Sequence, residues 1–295
     1  MKRLLILILI TTVLLCGCSS REEPADIAAT TLPVWEFTSR LCAGTPLTVT
    51  RLVTEEVSCL HDYSLNVRQV KAAEAAELIV ISGAGLEDFM EDLLRDAQTI
   101  DASAGIALIT PEQHHHDHGD AEHSHEGHSH EQDPHIWLSP VHAAAMAENI
   151  CQGLAQHYPQ YRAAFEENLS ALNQDMDALN TYGQQQLQEL SCRELITFHD
   201  GFSYLAEAFD LHILQAVEEE SGSEASAKVL IQLIEEVEHH NLPAIFTEKS
   251  GSVSAAGILA RETGCGSFPL DMAMAGDSWF EAMYHNIDTL KEALE

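Results

Sequence analysis

His61, His135, His199 and Asp271 lie far apart in the chain, each just after a short β-branched run or just before a helix start. Three imidazoles and one carboxylate are donor types that take Zn²⁺, and together they can fill a tetrahedron. Such a set points to an ion that is held, because catalytic zinc keeps one position open for water. If Asp271 does not reach the metal, water takes its place and that distinction softens. Taken alone, each histidine reads as an ordinary polar loop residue. Taken together, at matching places in two halves of the chain, they form a clamp with which one ion could join two domains.

Between the first two candidates runs a segment, residues 114–130, with eight histidines among acidic residues: His114, His115, His116, His118, His123, His125, His128 and His130. It has no apolar side chain larger than that of Ala121, so it reads as a solvated loop able to make weak, multi-site metal contacts. The bland alternative is a dispensable insertion. Other polar groups are read conservatively. Gly83-Ala84-Gly85 lacks the third glycine and basic partners of a phosphate loop and is read as a tight turn. Glu218-Glu219-Glu220 is a solvated loop near the cleft, and Glu248 either orients a ligand or ends a strand. His142, His157, His212, His239, His240 and His285 are read as surface or structural.

The elements that must position these residues alternate in type. Strands are expected over 27–31, 48–53, 78–81 and near Ile100 or over 106–109, then over 195–198, 212–217, 244–247 and 267–270. Helices are expected from near Pro33 and Asn66, the latter facing Val67, Val70 and Ala73/Ala75 inward, and over 140–157, 202–208, 225–240, 254–262 and from Ser278 onward. β–α alternation of this kind predicts parallel βαβ units, in which ligands gather at the carboxyl ends of the strands. Ser139-Pro140 is a helix N-cap followed by proline at the first helical position. From Pro159 an apolar stripe of Tyr161, Phe165, Leu169, Leu172, Met176, Leu179, Leu187 and Leu190 marks a helix of about 30 residues, roughly 45 Å long, which reads as a strut between domains.

Met1-Lys2-Arg3 followed by an apolar run over 4–15 is a secretory leader, shorter than the roughly 18 residues a membrane span needs. Leu15-Cys16-Gly17-Cys18 resembles a lipobox with Cys18 as the acylated residue. The organisation expected is a leader over 1–17, a lipidated tether over 18–26, an N-terminal lobe over 27–157, a linking helix over 158–191 and a C-terminal lobe over 192–295. The formal net charge is −33, from 14 Lys+Arg against 47 Asp+Glu, which argues against nucleic acid and polyanionic substrates and suits a cation. With Cys18 acylated, Cys42, Cys59, Cys151, Cys192 and Cys265 remain. Cys42 and Cys59 bracket one strand and are the first candidates for a disulfide, with Cys151–Cys192 a weaker pair.

Several motifs, in order, carry a family resemblance: Leu60-His61-Asp62-Tyr63, the histidine-rich segment, Asp133-Pro134-His135-Ile136-Trp137-Leu138, Ile196-Thr197-Phe198-His199-Asp200-Gly201-Phe202, Ile245-Phe246-Thr247-Glu248 and Pro269-Leu270-Asp271. The chain resembles the extracytoplasmic metal-binding lipoproteins of zinc ABC importers, a cluster that includes manganese-binding relatives. The resemblance covers nearly the whole mature chain. It implies two Rossmann-like α/β lobes, each with a parallel four-stranded sheet, joined by a long rigid helix, with the metal between them on His61, His135, His199 and Asp271. It further implies Zn²⁺ as cargo, no catalysis, an ABC permease with its ATPase as partner, a lipid anchor at the outer face of the membrane, and a monomer. Manganese-type relatives typically place a glutamate third, so His199 favours zinc. The chain departs from the family where Leu60, preceded by Cys59, replaces a common proline before the first histidine, which leaves the stiffness of that loop open.

Other functions compete. A metal-dependent phosphohydrolase is prompted by His61-Asp62 and His199-Asp200, but enzymes of that type are helical and both dipeptides here follow strands. A manganese receptor, or a surface zinc store or adhesin without a transport partner, stays open.

Overall fold

In the computed structural model, residues 25–57, 60, 63–110, 132–217, 226–249 and 253–295 are described. The leader, Cys18, Cys59, His61, the histidine-rich segment and Glu218-Glu219-Glu220 lie outside the described residues. The strands are β1 (Ile27–Ala29), β2 (Val49–Arg51), β3 (Leu78–Ile81), β4 (Thr99–Asp101), β5 (Glu194–Thr197), β6 (His212–Ala216), β7 (Ala244–Glu248) and β8 (Gly266–Leu270). The helices are α1 (Leu32–Leu41), α2 (Val67–Ala75), α3 (Glu91–Leu94), α4 (Pro140–His157), α5 (Arg162–Gln186), α6 (Ser203–Ala208), α7 (Ala227–His240), α8 (Ser254–Thr263) and α9 (Trp279–Leu294).

Two parallel four-stranded sheets form, in the orders β2-β1-β3-β4 and β6-β5-β7-β8. The shared order makes β1 and β5 equivalent central strands, so the two halves match in topology. Both central strands are sandwiched between helices, which is why Ile27, Ala28 and Ala29 are fully buried and Leu195 and Ile196 nearly so. Pro269 in β8 is tolerated because β8 is an edge strand.

Several helix starts follow their sequence signals. Asn66 makes a full capping box with Gln69, and Ser139 caps α4 ahead of Pro140. Ser278 caps α9, whose Trp279 N–H also donates to Glu36 on α1, tying the last helix to the first half of the chain. After a 3₁₀ turn over Pro159–Tyr161, α5 runs 25 residues, about 38 Å at 1.5 Å per residue. Its stripe of Phe165, Leu172, Met176 and Leu179 is buried and packs against α4, α1 and α9. The connecting helix is therefore also a wall of the core. One continuous apolar cluster runs from Ile27 and Phe37 through Trp137 to Leu195 and Trp279, so the halves share packing.

Some expectations change. Val67 stands 70% exposed and Ala75 is exposed too, and the buried face of α2 is Gln69 and Ala73. Gln69 displaces the valine because its side-chain amide donates to the Leu52 carbonyl at 2.9 Å and to the Tyr63 hydroxyl at 2.6 Å, fastening the residues that follow β2. The fourth strand is at Thr99–Asp101, not over 106–109. A 3₁₀ turn over Asp88–Met90 and α3 fill a stretch for which no element was expected.

Cys42, Cys151, Cys192 and Cys265 are free thiols. Cys42 faces the apolar core, where burial pushes its thiol up to about 12, and its expected partner Cys59 lies outside the described residues. The Cys151–Cys192 pair does not form, since Cys151 is buried on α4 and the Cys192 sulfur contacts the Glu194 carbonyl.

Candidate metal centre

His135 is delivered by a fixed turn. Asp133 Oδ1 accepts from the His135 backbone N–H at 2.9 Å and lies 2.7 Å from His135 Nδ1, with both side chains about 95% buried. Pro134 sits between them, and a 3₁₀ turn over Ile136–Leu138 leads into the Ser139 cap of α4. The Tyr204 hydroxyl of α6 donates to the Asp133 carbonyl at 3.1 Å and accepts from the Ile109 N–H at 2.9 Å, pinning the turn from the second half of the chain. Burial first of all pushes the Tyr204 phenol up to about 12, so it stays a donor. With Nδ1 held by a carboxylate, Nε2 is the nitrogen left to a ligand.

His199 follows β5 at the carboxyl end of the second sheet, where α/β folds gather ligands. Its Nδ1 is 3.7 Å from Glu248 Oε2 at the end of β7, an ion-pair spacing beyond hydrogen-bond range. Glu248 is only 5% exposed, so the histidine faces a buried carboxylate. The rings of His135 and His199 meet edge to face, with centroids 5.3 Å apart. At a Zn–N distance of about 2.0–2.1 Å, two imidazoles on neighbouring tetrahedral corners have centroids roughly 5.2 Å apart. The spacing therefore suits two rings on one ion.

Asp271 caps β8 at the same end of the sheet. Its backbone is gripped twice by buried Asn286 of α9, the Asp271 N–H donating to Asn286 Oδ1 and Asn286 Nδ2 donating to the Asp271 carbonyl, both at 2.7 Å. Its Oδ1 accepts from the Ala273 N–H, and its Oδ2 is 2.9 Å from Lys249 Nζ. That contact holds the Lys249 ammonium above its ordinary value. The carboxylate already faces a cation here, though one on a half-exposed side chain whose pairing is worth about 0–1 kcal/mol.

Of the four candidate donors, the structure brings His135 and His199 together and sets Asp271 at the end of β8, with β7 between it and β5, while His61 lies outside the described residues. The adjacent Leu60 is buried in the shared core, and Tyr63 is held by Gln69 and Glu55, so packing anchors the flanks of that loop where a proline is lacking. Among the described residues His135, His199 and Asp271 do not close on one another as a three-donor cluster; that property falls to Glu236, His239 and His240. The sequence reading missed Asp133 as the partner of His135, Lys249 on Asp271, and Asn286. Only the first had a signal, an aspartate two residues before the histidine across a proline.

A family profile described as "Zinc-uptake complex component A periplasmic", ZnuA, matches residues 27–293. The chain belongs to the ZnuA family. It is 28% identical over 312 residues to the zinc-binding lipoprotein AdcA of Streptococcus pneumoniae, covering 100% of this chain and 62% of that protein. A putative metal-binding protein of Treponema pallidum is 26% identical over 263 residues, covering 86% of this chain and 83% of its own length. The chain thus spans 62% of the length of the Streptococcus pneumoniae AdcA relatives. Among solved structures, ZnuA itself superposes with a TM-score of 0.76 at 28% identity, over 92% of this chain and 100% of that one. Zn(II)-bound AdcA from Streptococcus pneumoniae gives 0.75 at 25%, over 92% of this chain and 57% of that one.

The ZnuA fold explains why Gly83-Ala84-Gly85 is not a ligand loop. All three residues have positive φ, and a Cβ on Gly83 would stand 1.9 Å from Asp101 Oδ1. The amides of Ser82 and Gly83 are taken by the carboxylate of Glu87, at 2.8 and 3.0 Å, leaving no cradle for a phosphate.

Proposed function

We propose that this chain is an extracytoplasmic zinc receptor that captures Zn²⁺ between lobes 27–157 and 192–295, across a linking helix over 158–191, and yields it to an ABC permease driven by a cytoplasmic ATPase. The proposed ligands are His61, His135, His199 and Asp271. The observation that carries the reading is the approach of His135 and His199, supplied by different halves of the chain, each facing a buried carboxylate. The zinc-binding names of AdcA and the zinc-uptake description of the family support it.

Capture requires neutral imidazoles, whose nitrogen lone pairs the buried turn at Asp133 and the strand end at His199 hold in place. Asp271 exchanges the Lys249 ammonium for the ion at small cost, because that lysine is half exposed and rehydrates on leaving. The ion is held and released without bond chemistry, so no catalytic residue is assigned. Imidazole donors outnumber carboxylates in this set, which selects Zn²⁺ over Mn²⁺. Acylation at Cys18 would anchor the monomer at the outer face of the membrane, and a relative named as a lipoprotein supports that placement. Among the described residues no helix is long and apolar enough to cross a membrane. The eight histidines of the 114–130 segment are proposed as weak auxiliary metal contacts.

The test is a competitive zinc titration on soluble protein lacking residues 114–130, with and without His199→Ala. One tight equivalent, weakened at least a hundredfold by His199→Ala and poorly displaced by excess Mn²⁺, is expected. Loss of all tight binding with the segment would make the chain a histidine-rich metal buffer instead.

A further inference from the structure

A second group of donors lies at the other end of the C-terminal sheet. Glu236, His239 and His240 occupy positions i, i+3 and i+4 on the last turn of α7, a spacing that puts three side chains on one helix face. Their donor atoms all lie within 4.8 Å of one another. The rings of His239 and His240 meet edge to face with centroids 4.8 Å apart.

The fourth member decides what the group can do. Glu194, the first residue of β5, places Oε2 2.9 Å from His240 Nδ1. A carboxylate is an acceptor only, so Nδ1 carries the ring proton and the lone pair of the neutral ring sits on Nε2. Nε2 in turn faces Glu236 Oε2 at 3.5 Å. Two acceptors pointed at each other are favourable only with positive charge between them. A carboxylate that fixes the far nitrogen of a histidine while the near one faces further donors is the arrangement that orients metal-binding imidazoles. The place adds to this, because the negative end of the α7 dipole favours a cation at its last turn.

We propose that Glu236, His239 and His240, with Glu194 orienting His240, form a second transition-metal site that takes Zn²⁺ or a similar nitrogen-seeking divalent ion. Two imidazoles and one carboxylate select such ions over Ca²⁺ and Mg²⁺, and the fourth position is left to water. The site is separate from the centre at His199. Glu194 opens β5 and His199 follows its other end, with the length of the strand, roughly 10 Å from Glu194 to Thr197 at some 3.3 Å per residue, between them. It is also more open, with His240 25% and Glu236 41% exposed, so it binds more weakly than an enclosed centre and exchanges freely with solvent.

The test is residue-resolved and uses the full mature chain. In ¹⁵N-labelled protein, long-range ¹H–¹⁵N spectra follow each histidine ring as ZnCl₂ is added beyond the first equivalent. The expected result is a zinc-dependent shift of His240 Nε2 and of the His239 ring, with His240 Nδ1 remaining protonated. Glu236→Gln and His239→Gln, both at solvent-accessible positions, should each raise the zinc concentration needed for the His240 shift at least tenfold. Glu194→Gln should raise it about 10- to 100-fold, the usual cost of losing a residue that orients a ligand. His199→Ala should leave the response intact, so failure of the central site and failure of this one are told apart. Rings that ignore zinc up to millimolar concentration, or a response unchanged in Glu236→Gln, would overturn the proposal and leave His240 as a helix-end residue held between two carboxylates.

Discussion

Asp133 and His135 form a buried pair, Oδ1 to Nδ1 at 2.7 Å, in which the same carboxylate oxygen also accepts from the His135 backbone N–H. Ring and backbone are thus clamped by one group, and the imidazole loses rotational freedom before any ion arrives. Binding then forgoes little side-chain entropy, which is how preorganisation raises affinity. Asp133→Asn keeps the shape but offers a weaker acceptor. Zinc affinity should fall about 10- to 100-fold by competitive titration, with the thermal midpoint little changed. Equal affinity in the variant would mean that the turn, and not the carboxylate, orients the ring.

Gly201 lies against the other histidine. A Cβ there would stand 2.7 Å from His199 Cδ2, 2.8 Å from its Nε2 and 2.8 Å from Met272 Cε. Met272 is flexible and can yield, but the His199 ring must shift from its position. Gly201→Ala should therefore weaken zinc binding tenfold or more while costing about 1–3 kcal/mol of stability, the usual range for overpacking. Titration and urea unfolding of the same preparation separate the two effects.

How far the sequence carried this picture depended on the range of the interaction. β3 at Leu78–Ile81 was legible to the residue, because a run of four β-branched or aliphatic side chains after a helix, three of them buried, leaves little choice. α4 was legible from Ser139-Pro140. Val67 was misread because local periodicity cannot show that Gln69 would find the Leu52 carbonyl and the Tyr63 hydroxyl. The same limit hid Asn286, fifteen residues from Asp271, and Lys249, twenty-two residues away. His240 was read as a surface or structural histidine for that reason, its partner Glu194 lying forty-six residues away. Patterns at helix or strand spacing are written in the chain; contacts made by the fold are not.

Trp137 links the two halves beside the candidate metal centre. Its indole N–H donates to the Met272 carbonyl at 2.7 Å, next to Asp271, and its own carbonyl accepts from the Trp279 indole at 3.1 Å. Trp137→Phe leaves a buried carbonyl without its donor and a gap in the shared core. A loss of about 2–4 kcal/mol in unfolding free energy is expected from those two terms. Zinc affinity should fall as well, since the Asp271–Met272 segment loses its tie to the turn bearing His135. A variant as stable as the parent would show that the two halves pack without this bond.

Glu87 supplies a pH dependence that belongs to the scaffold. Its carboxylate is wholly enclosed, accepting from Thr30 Oγ1 at 2.6 Å, Ser82 N at 2.8 Å and Gly83 N at 3.0 Å, and so joins the ends of β1 and β3. Burial, aided by Asp101, outweighs those bonds and raises the carboxyl to about 7, above its ordinary value of 4.5. The folded chain therefore binds more protons than the unfolded one between these values, and stability falls as pH rises through that window. The loss at this group is on the order of 3 kcal/mol between the two limits. Glu87→Gln cannot ionise, so its stability relative to the parent should improve from pH 5 to pH 8 and level off above, as read from urea unfolding curves. All other groups titrate alike in both proteins and cancel in the difference. Parallel curves across that range would mean that the three donors hold the carboxylate ionised throughout.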